Sequence, residues 1–205
     1  MKKGLFIVFE GPDGSGQSTQ SDLLAKWFRK RGKRVLVTKE PTNSLIGGII
    51  RVILKKEWKV DMKTHQLLFT ADRAHHLNTE IMPLLEGSIN VISDRYILST
   101  LAFGSLEEDL AWLKLINSKF PEPDLTFILN VPGKVCAERI AKSRFGFEVF
   151  ESIEKLELVR KNYLKLKDFH KNTYVIKGDE KGKEEINKEI ISIVENYCKE
   201  HGIKF

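Results

Sequence analysis

An α/β fold is predicted, a three-layer α/β/α sandwich around a five-stranded parallel sheet, and three observations predict it. Five short apolar runs, 5–9, 35–38, 89–93, 125–131 and 173–176, have the length of buried strands. Longer stretches with helical periodicity separate them, the alternation expected of parallel strands joined by helical crossovers. Unusual residues gather where the runs end, and in open α/β sheets a ligand lies beyond the carboxyl ends of the strands.

Size and composition agree with this. The 205 residues suffice for one domain with a sizeable core, and 41% hydrophobic with 30% charged residues is ordinary for a globular chain. No apolar run approaches the ~20 residues of a membrane span, so no membrane association is expected. The first run stops at Glu10 with no small-residue cleavage site after it, and reads as a strand rather than a leader. Cys136 and Cys198 lie far apart without metal or redox spacing, which points to a reducing cytoplasm. The net charge of +6 invites a nucleic-acid reading. Lysines interleaved with glutamates and no basic stripe with aromatics argue against it.

The first strand runs into Gly11-Pro12-Asp13-Gly14-Ser15-Gly16-Gln17-Ser18-Thr19, and a helical pattern follows with Leu23, Leu24, Trp27 and Phe28. Strand, Gly-rich turn and helix form the context of a phosphate-binding loop, in which backbone N–H groups and the helix N-terminus face an anion. The spacing fits G-x-x-x-x-G-K-[ST] except that Gln17 stands where the motif has Lys.

The helix after the loop stops near Gly32, and the second strand ends in Lys39-Glu40-Pro41, a loop signal. Stretch 45–54 reads as an apolar helix with Arg51 inside it. In the next helix, about 64–85, a 100° wheel groups Leu67, Ala71, Ala74 and Ile81 on the face expected to pack on the sheet. Phe69, Asp72, Arg73 and His76 fall opposite, and an aromatic beside an Arg suits stacking on a nucleobase and reading its edge. The third strand ends in Asp94-Arg95-Tyr96, where a carboxylate beside a phosphate loop suits Mg²⁺, directly or through water, and an Arg suits a phosphate. A helical run is expected over 106–120, broken by Pro121-Glu122-Pro123, and another from Val135 to Ile140. Arg139, Lys142 and Arg144 then lead into Phe145-Gly146-Phe147, the composition of a short lid, about 141–151, closing on phosphates.

Phe9-Glu10-Gly11-Pro12-Asp13-Gly14-Ser15-Gly16 resembles the F-E-G-x-D-G-x-G loop of the thymidylate kinases. Thr38-Lys39-Glu40-Pro41 resembles their T-R-E-P, and Phe69 to His76 resembles F-x-A-D-R-x-x-H. Asp94-Arg95-Tyr96 with Ser99 and Ala102 resembles D-R-Y-x-x-S-x-x-A-[YF]. In this order the motifs cover nearly the whole chain. The resemblance implies a P-loop NTPase of nucleoside monophosphate kinase type that transfers the ATP γ-phosphoryl group to thymidine 5′-monophosphate with Mg²⁺, as a homodimer. It implies that Phe69 stacks on thymine, that Arg73 bonds its edge, and that Ser99 and Thr100 lie near the base or sugar. Phe103 falls where the family often has a Tyr near the sugar 2′ position. Arg95 is implied to hold the acceptor phosphate and the transferring group, with Lys39 and Arg51 as secondary candidates, and Glu40 is a further candidate for substrate binding. Asp13 is implied at the deoxyribose hydroxyl or a metal-bound water, and Ser18 and Asp94 in the Mg²⁺ shell.

Phosphoryl transfer asks a protein for alignment and neutralisation of charge rather than covalent chemistry. Ser15 occupies a position where some members have Arg, so a lid cation is expected, Arg144 first and Arg139 second. Three departures touch phosphate handling: Gln17, Asn130 where the family has Asp, and Glu148-Val149-Phe150-Glu151 where the lid ends D-R-[FI]-E. Loss of one such donor costs on the order of 10²–10³ in rate if nothing replaces it. Two other readings therefore stand beside this one, another nucleoside monophosphate kinase and a catalytically weak nucleotide-binding protein.

Overall fold

The sheet has the strand order β2-β3-β1-β4-β5 with every pairing parallel. The structure, a computed structural model, describes residues 3–143 and 152–203, so Arg144 and most of the expected lid lie outside the described residues. The strands are β1 Phe6–Glu10, β2 Val35–Lys39, β3 Asn90–Asp94, β4 Leu125–Asn130 and β5 Thr173–Lys177. Four of the five reach one residue past the apolar run that announced them, because Glu10, Lys39, Asp94 and Lys177 still pair through their backbones. Those terminal polar residues are the ones delivered to the crevice above the sheet.

Side chains of β1 alternate between the two faces, as the two-residue repeat of a strand requires. Ile7 and Phe9 pack with α1 (Gln17–Lys30) and α9 (Lys183–Glu200) through Leu24, Phe28, Ile190 and Val194. Phe6 and Val8 pack on the other side with α4 (Met82–Glu86), α5 (Ile97–Gly104) and α8 (Ile153–Lys165) through Leu85, Leu98, Leu101 and Val159. The remaining helices are α2 (Leu45–Leu54), α3 (Met62–His76), α6 (Leu110–Asn117) and α7 (Gly133–Ser143). The run expected over 106–120 is helical only in α6, which starts where Asp109 caps the Trp112 N–H. Among the described residues, no helix is long and apolar enough to cross a membrane.

Helix α3 corrects the wheel drawn from sequence. Gln66, Asp72, Arg73 and His76 are buried, whereas Leu67 is 49% exposed and Ala71 and Ala74 also face outward. The buried face is polar because it carries partners for other buried polar groups, a pattern that hydrophobicity cannot register. Ile81 is nevertheless buried, on the same side as Arg73. A π-helical turn at Leu77–Ile81, closed by the Met82 N–H on the Leu77 carbonyl, inserts a residue and rotates the following apolar face inward.

Candidate active site

The phosphate-binding loop spans the gap between β1 and α1. Gly14 has φ 80°, and a Cβ there would sit 2.6 Å from the Cys136 carbonyl oxygen, so a side chain would push the loop off α7. Gly16, at φ 104°, caps α1 without a side-chain bond, leaving the first N–H groups of that helix open to an anion. Asp13 to Gln20 line a cavity of about 710 Å³ together with Asp94, Arg95, Arg139, Gly178 and Lys181. Gln17 is buried, and its Nε2 donates to the Gly11 carbonyl at 2.6 Å. Arg139 braces the same loop, donating to Ser15 O at 3.4 Å and to Gly178 O at 2.8 Å. Asn130, at the end of β4, accepts from Arg160 at 2.8 Å.

A second cavity, about 180 Å³, opens between α3 and α5 and is lined by Phe69, Arg73, Ser99, Thr100 and Phe103 along with Glu40 and Pro41. The Glu40–Pro41 peptide that shapes its edge is cis. Asp72 fixes this edge by accepting from the Thr42 N–H at 2.7 Å and from the Thr42 and Ser44 hydroxyls at 2.6 and 3.0 Å. Arg73 is 1% exposed. It donates from Nε to Glu40 at 2.9 Å, from Nη1 to Asn117 at 2.5 Å, and from Nη2 to Tyr96 O and Thr100 Oγ1 at 2.9 and 3.1 Å. Asn117 is the one partner of Nη1 among the described residues, which leaves an N–H there for a ligand edge.

Behind Arg73 stands His76, which the sequence placed on the outward face of the wheel and in a motif without giving it a role. Its Nδ1 lies 3.2 Å from Glu40 Oε1, and its Nε2 lies 3.0 Å from Glu80 Oε2 and 2.8 Å from Thr38 Oγ1. Burial works against a charge on this ring, but the bonds to Glu40 and Glu80 outweigh it and raise the pKa.

Asp13 and Arg95 line both cavities. Arg95 Nη2 pairs with Asp13 Oδ1 at 2.6 Å. Nη1 donates to Gly11 O, Ser99 Oγ and Tyr163 OH, each at 3.1 Å, and the guanidinium lies over the Phe103 ring at 5.2 Å. The backbone of Arg95 is left-handed, φ 75°, a conformation that costs a non-glycine residue about 1–3 kcal/mol. It is held there by its own N–H on Phe9 O at 2.8 Å and by Ser93 Oγ, which donates to the Arg95 carbonyl at 2.8 Å. The strained turn thus aims the side chain across the junction of the cavities.

Ser18 Oγ donates to Asp94 Oδ2 at 2.5 Å, so the two residues expected at a metal do meet. Two hard oxygens beside a phosphate loop suit Mg²⁺, which takes few protein ligands and completes its shell with phosphate and water. Among the described residues no group of three or more His, Cys, Asp or Glu is placed for a metal, and Mg²⁺ needs none.

Two expected substrate residues sit outside the acceptor cavity. Arg51 donates to the Thr42 carbonyl and supports the cavity edge from behind. Lys39 is exposed and lines a third cavity, about 500 Å³, on the β2 side of Ser18 and Asp94. Residues that sequence reasoning did not single out complete the site: Glu10, Gln66, Asn117 and Tyr163. Glu10 stood inside a recognised motif, which is a signal of sorts; Tyr163 lies in an ordinary amphipathic helix and had none.

A family model described as "Thymidylate kinase" matches residues 9–190. A "Probable thymidylate kinase" of Pyrococcus horikoshii is 41% identical over 201 residues, covering 95% of this chain and 97% of the relative. One of Thermococcus kodakarensis is 40% identical over 200 residues, with 93% and 97% covered. A "Thymidylate kinase" of Thermosipho africanus is 33% identical over 199 residues, with 94% and 98% covered. With a P-loop, a base-sized cavity and one arginine reaching both, the chain belongs to the thymidylate kinase family.

Proposed function

We propose that the chain transfers the γ-phosphoryl group of ATP to thymidine 5′-monophosphate, giving ADP and thymidine 5′-diphosphate. The observation that carries this is the Asp13–Arg95 pair at the junction of a triphosphate-sized cavity and a nucleoside-sized one. Two anionic substrates meeting there need a shared cation and fixed alignment, and little else from the protein.

The loop N–H groups and the α1 N-terminus take the ATP phosphates. Phe69 stacks on the thymine, and the remaining Arg73 N–H donates to its edge, with Thr100 beside it. Arg73 cannot drift from that pose, because Glu40, Asn117 and Tyr96 hold it. Phe103 covers Arg95 at the sugar end. Asp13 faces the deoxyribose while pairing with Arg95, whose N–H groups not engaged by Asp13, Gly11, Ser99 and Tyr163 face the transferred group. Mg²⁺ held by Ser18 and Asp94 would neutralise phosphate charge. Arg144 is the lid cation we assign, and it lies outside the described residues.

A homodimer is part of the same proposal. Leu45 (84% exposed) and Val52 on α2, with Leu67 on the neighbouring α3, leave apolar surface uncovered on one packed helix pair. A cytoplasmic setting is in keeping with Cys136 and Cys198, both buried and unpaired.

The reaction is tested by incubating the protein with ATP, Mg²⁺ and thymidine monophosphate and separating the nucleotides. Equimolar ADP and thymidine diphosphate are expected. ADP without the diphosphate would show hydrolysis instead of transfer and reject the proposal.

A further inference from the structure

Glu10, the last residue of β1, is fully buried, and its carboxylate bonds no cation directly among the described residues. Oε1 accepts from the Tyr96 N–H at 3.0 Å. Oε2 accepts from Ser99 Oγ at 2.5 Å and from Tyr163 OH at 3.3 Å. The same two hydroxyl oxygens accept from Arg95 Nη1, and they lie 2.8 Å from each other. Each hydroxyl has one hydrogen. Spent on the carboxylate, it leaves lone pairs facing Arg95; turned toward Arg95, it repels the guanidinium.

We infer that Glu10 is a positioning residue for phosphoryl transfer, its carboxylate orienting the Ser99 and Tyr163 hydroxyls so that both grip Arg95 at the junction of the cavities. This rests on the phosphoryl-transfer reading of Arg95. The groups facing Glu10 are Ser99 on α5, Tyr163 on α8, Arg95 and the Tyr96 N–H after β3, and Arg73 on α3. Burial pushes the Glu10 carboxyl up to about 7 against the pull of Ser99, Arg95 and Arg73. Burial also pushes the Tyr163 phenol far above its ordinary range, so it stays a neutral donor. Protonated Glu10 becomes a donor itself and competes with Arg95 for the hydroxyl lone pairs. Transfer is therefore expected to weaken as pH falls through about 7.

The test compares the full-length wild type with Glu10→Gln, which keeps size and shape. At pH 8 the variant is expected to lose at least ~10-fold in kcat while KM for ATP stays within about 2-fold, the pattern of an interaction needed at the transition state. The wild-type kcat should fall with acid near pH 7, and the variant should lack that limb. A readout without turnover accompanies this: nitrogen-15 NMR of the Arg95 Nη groups, restrained in the wild type and averaged by rotation in the variant. An unchanged kcat and acid limb, with unchanged Arg95 signals, would overturn the inference. Should the wild type not turn over thymidine monophosphate, the functional reading fails and the NMR comparison still decides the role of Glu10. Tyr163→Phe, which removes one of the two gripping hydroxyls, gives the same predicted loss and serves if the Gln variant does not fold.

Discussion

The side-chain amide of Gln17 donates to the Gly11 carbonyl at 2.6 Å, closing the phosphate loop on itself where its motif has a lysine. Arg95 Nη1 reaches the same carbonyl at 3.1 Å. The other cations lining the triphosphate cavity are engaged: Arg139 on loop and β5-end carbonyls, Lys181 on Glu189 at 2.7 Å, and Lys183 near Glu184. Relative to its motif, the loop therefore carries one positive charge fewer. Gln17→Lys is predicted to raise kcat by at least ~10-fold, about 1.4 kcal/mol of barrier. A flat or lower rate would mean that a lid cation already fills the role and that the Gln17 bond to Gly11 is the more valuable feature.

Arg95→Ala removes the one cationic side chain that lines both cavities among the described residues. A loss in kcat of at least ~10³ is predicted, the scale at which an arginine acts on a transferring phosphoryl group. Far-ultraviolet circular dichroism checks that the sheet survives. Near-normal turnover in a folded variant would remove Arg95 from the mechanism.

Phe69→Ala should act on one substrate only. Stacking of a base on an aromatic ring contributes about 1–3 kcal/mol, so KM for thymidine monophosphate is expected to rise ~10-fold or more. KM for ATP should hold. An effect confined to ATP would reject the stacking role.

The motifs made much of this site legible, because phosphate loops, strand-end carboxylates and base-stacking aromatics need particular residue types at particular spacings. The strands were legible for the same kind of reason: a buried parallel strand is a short continuous apolar run. The orientation of α3 was not. Its buried face carries Asp72, Arg73 and His76, and only their partners Glu40, Thr42, Ser44 and Asn117, from distant stretches, make that burial affordable. A wheel scores each residue alone and assigns such a face to solvent. Tyr163 was hidden likewise, since its hydroxyl acquires meaning only from Glu10, Ser99 and Arg95, which come together in the fold.

His76 gives a pH test of that buried network. Its folded pKa is raised, so the stabilisation from its charge is fully present below its unfolded value, about 6.5, and is lost as pH rises through the folded one. Thermal melts of the wild type and His76→Gln should differ more at pH 6 than at pH 9. An equal gap at both, or a larger one at pH 9, would show that the ring is neutral and serves only as a spacer between Glu40 and Glu80.

The most direct test of the whole reading is kcat/KM for a panel of nucleoside monophosphates, measured by coupled ADP release with ATP and Mg²⁺. Thymidine monophosphate is predicted to be the best acceptor, followed by deoxyuridine monophosphate, with the cytosine and purine nucleotides at least ~100-fold lower, as unpaired polar groups against Arg73 would dictate. Faster turnover of another base, or ATP binding without turnover of any acceptor, would contradict it.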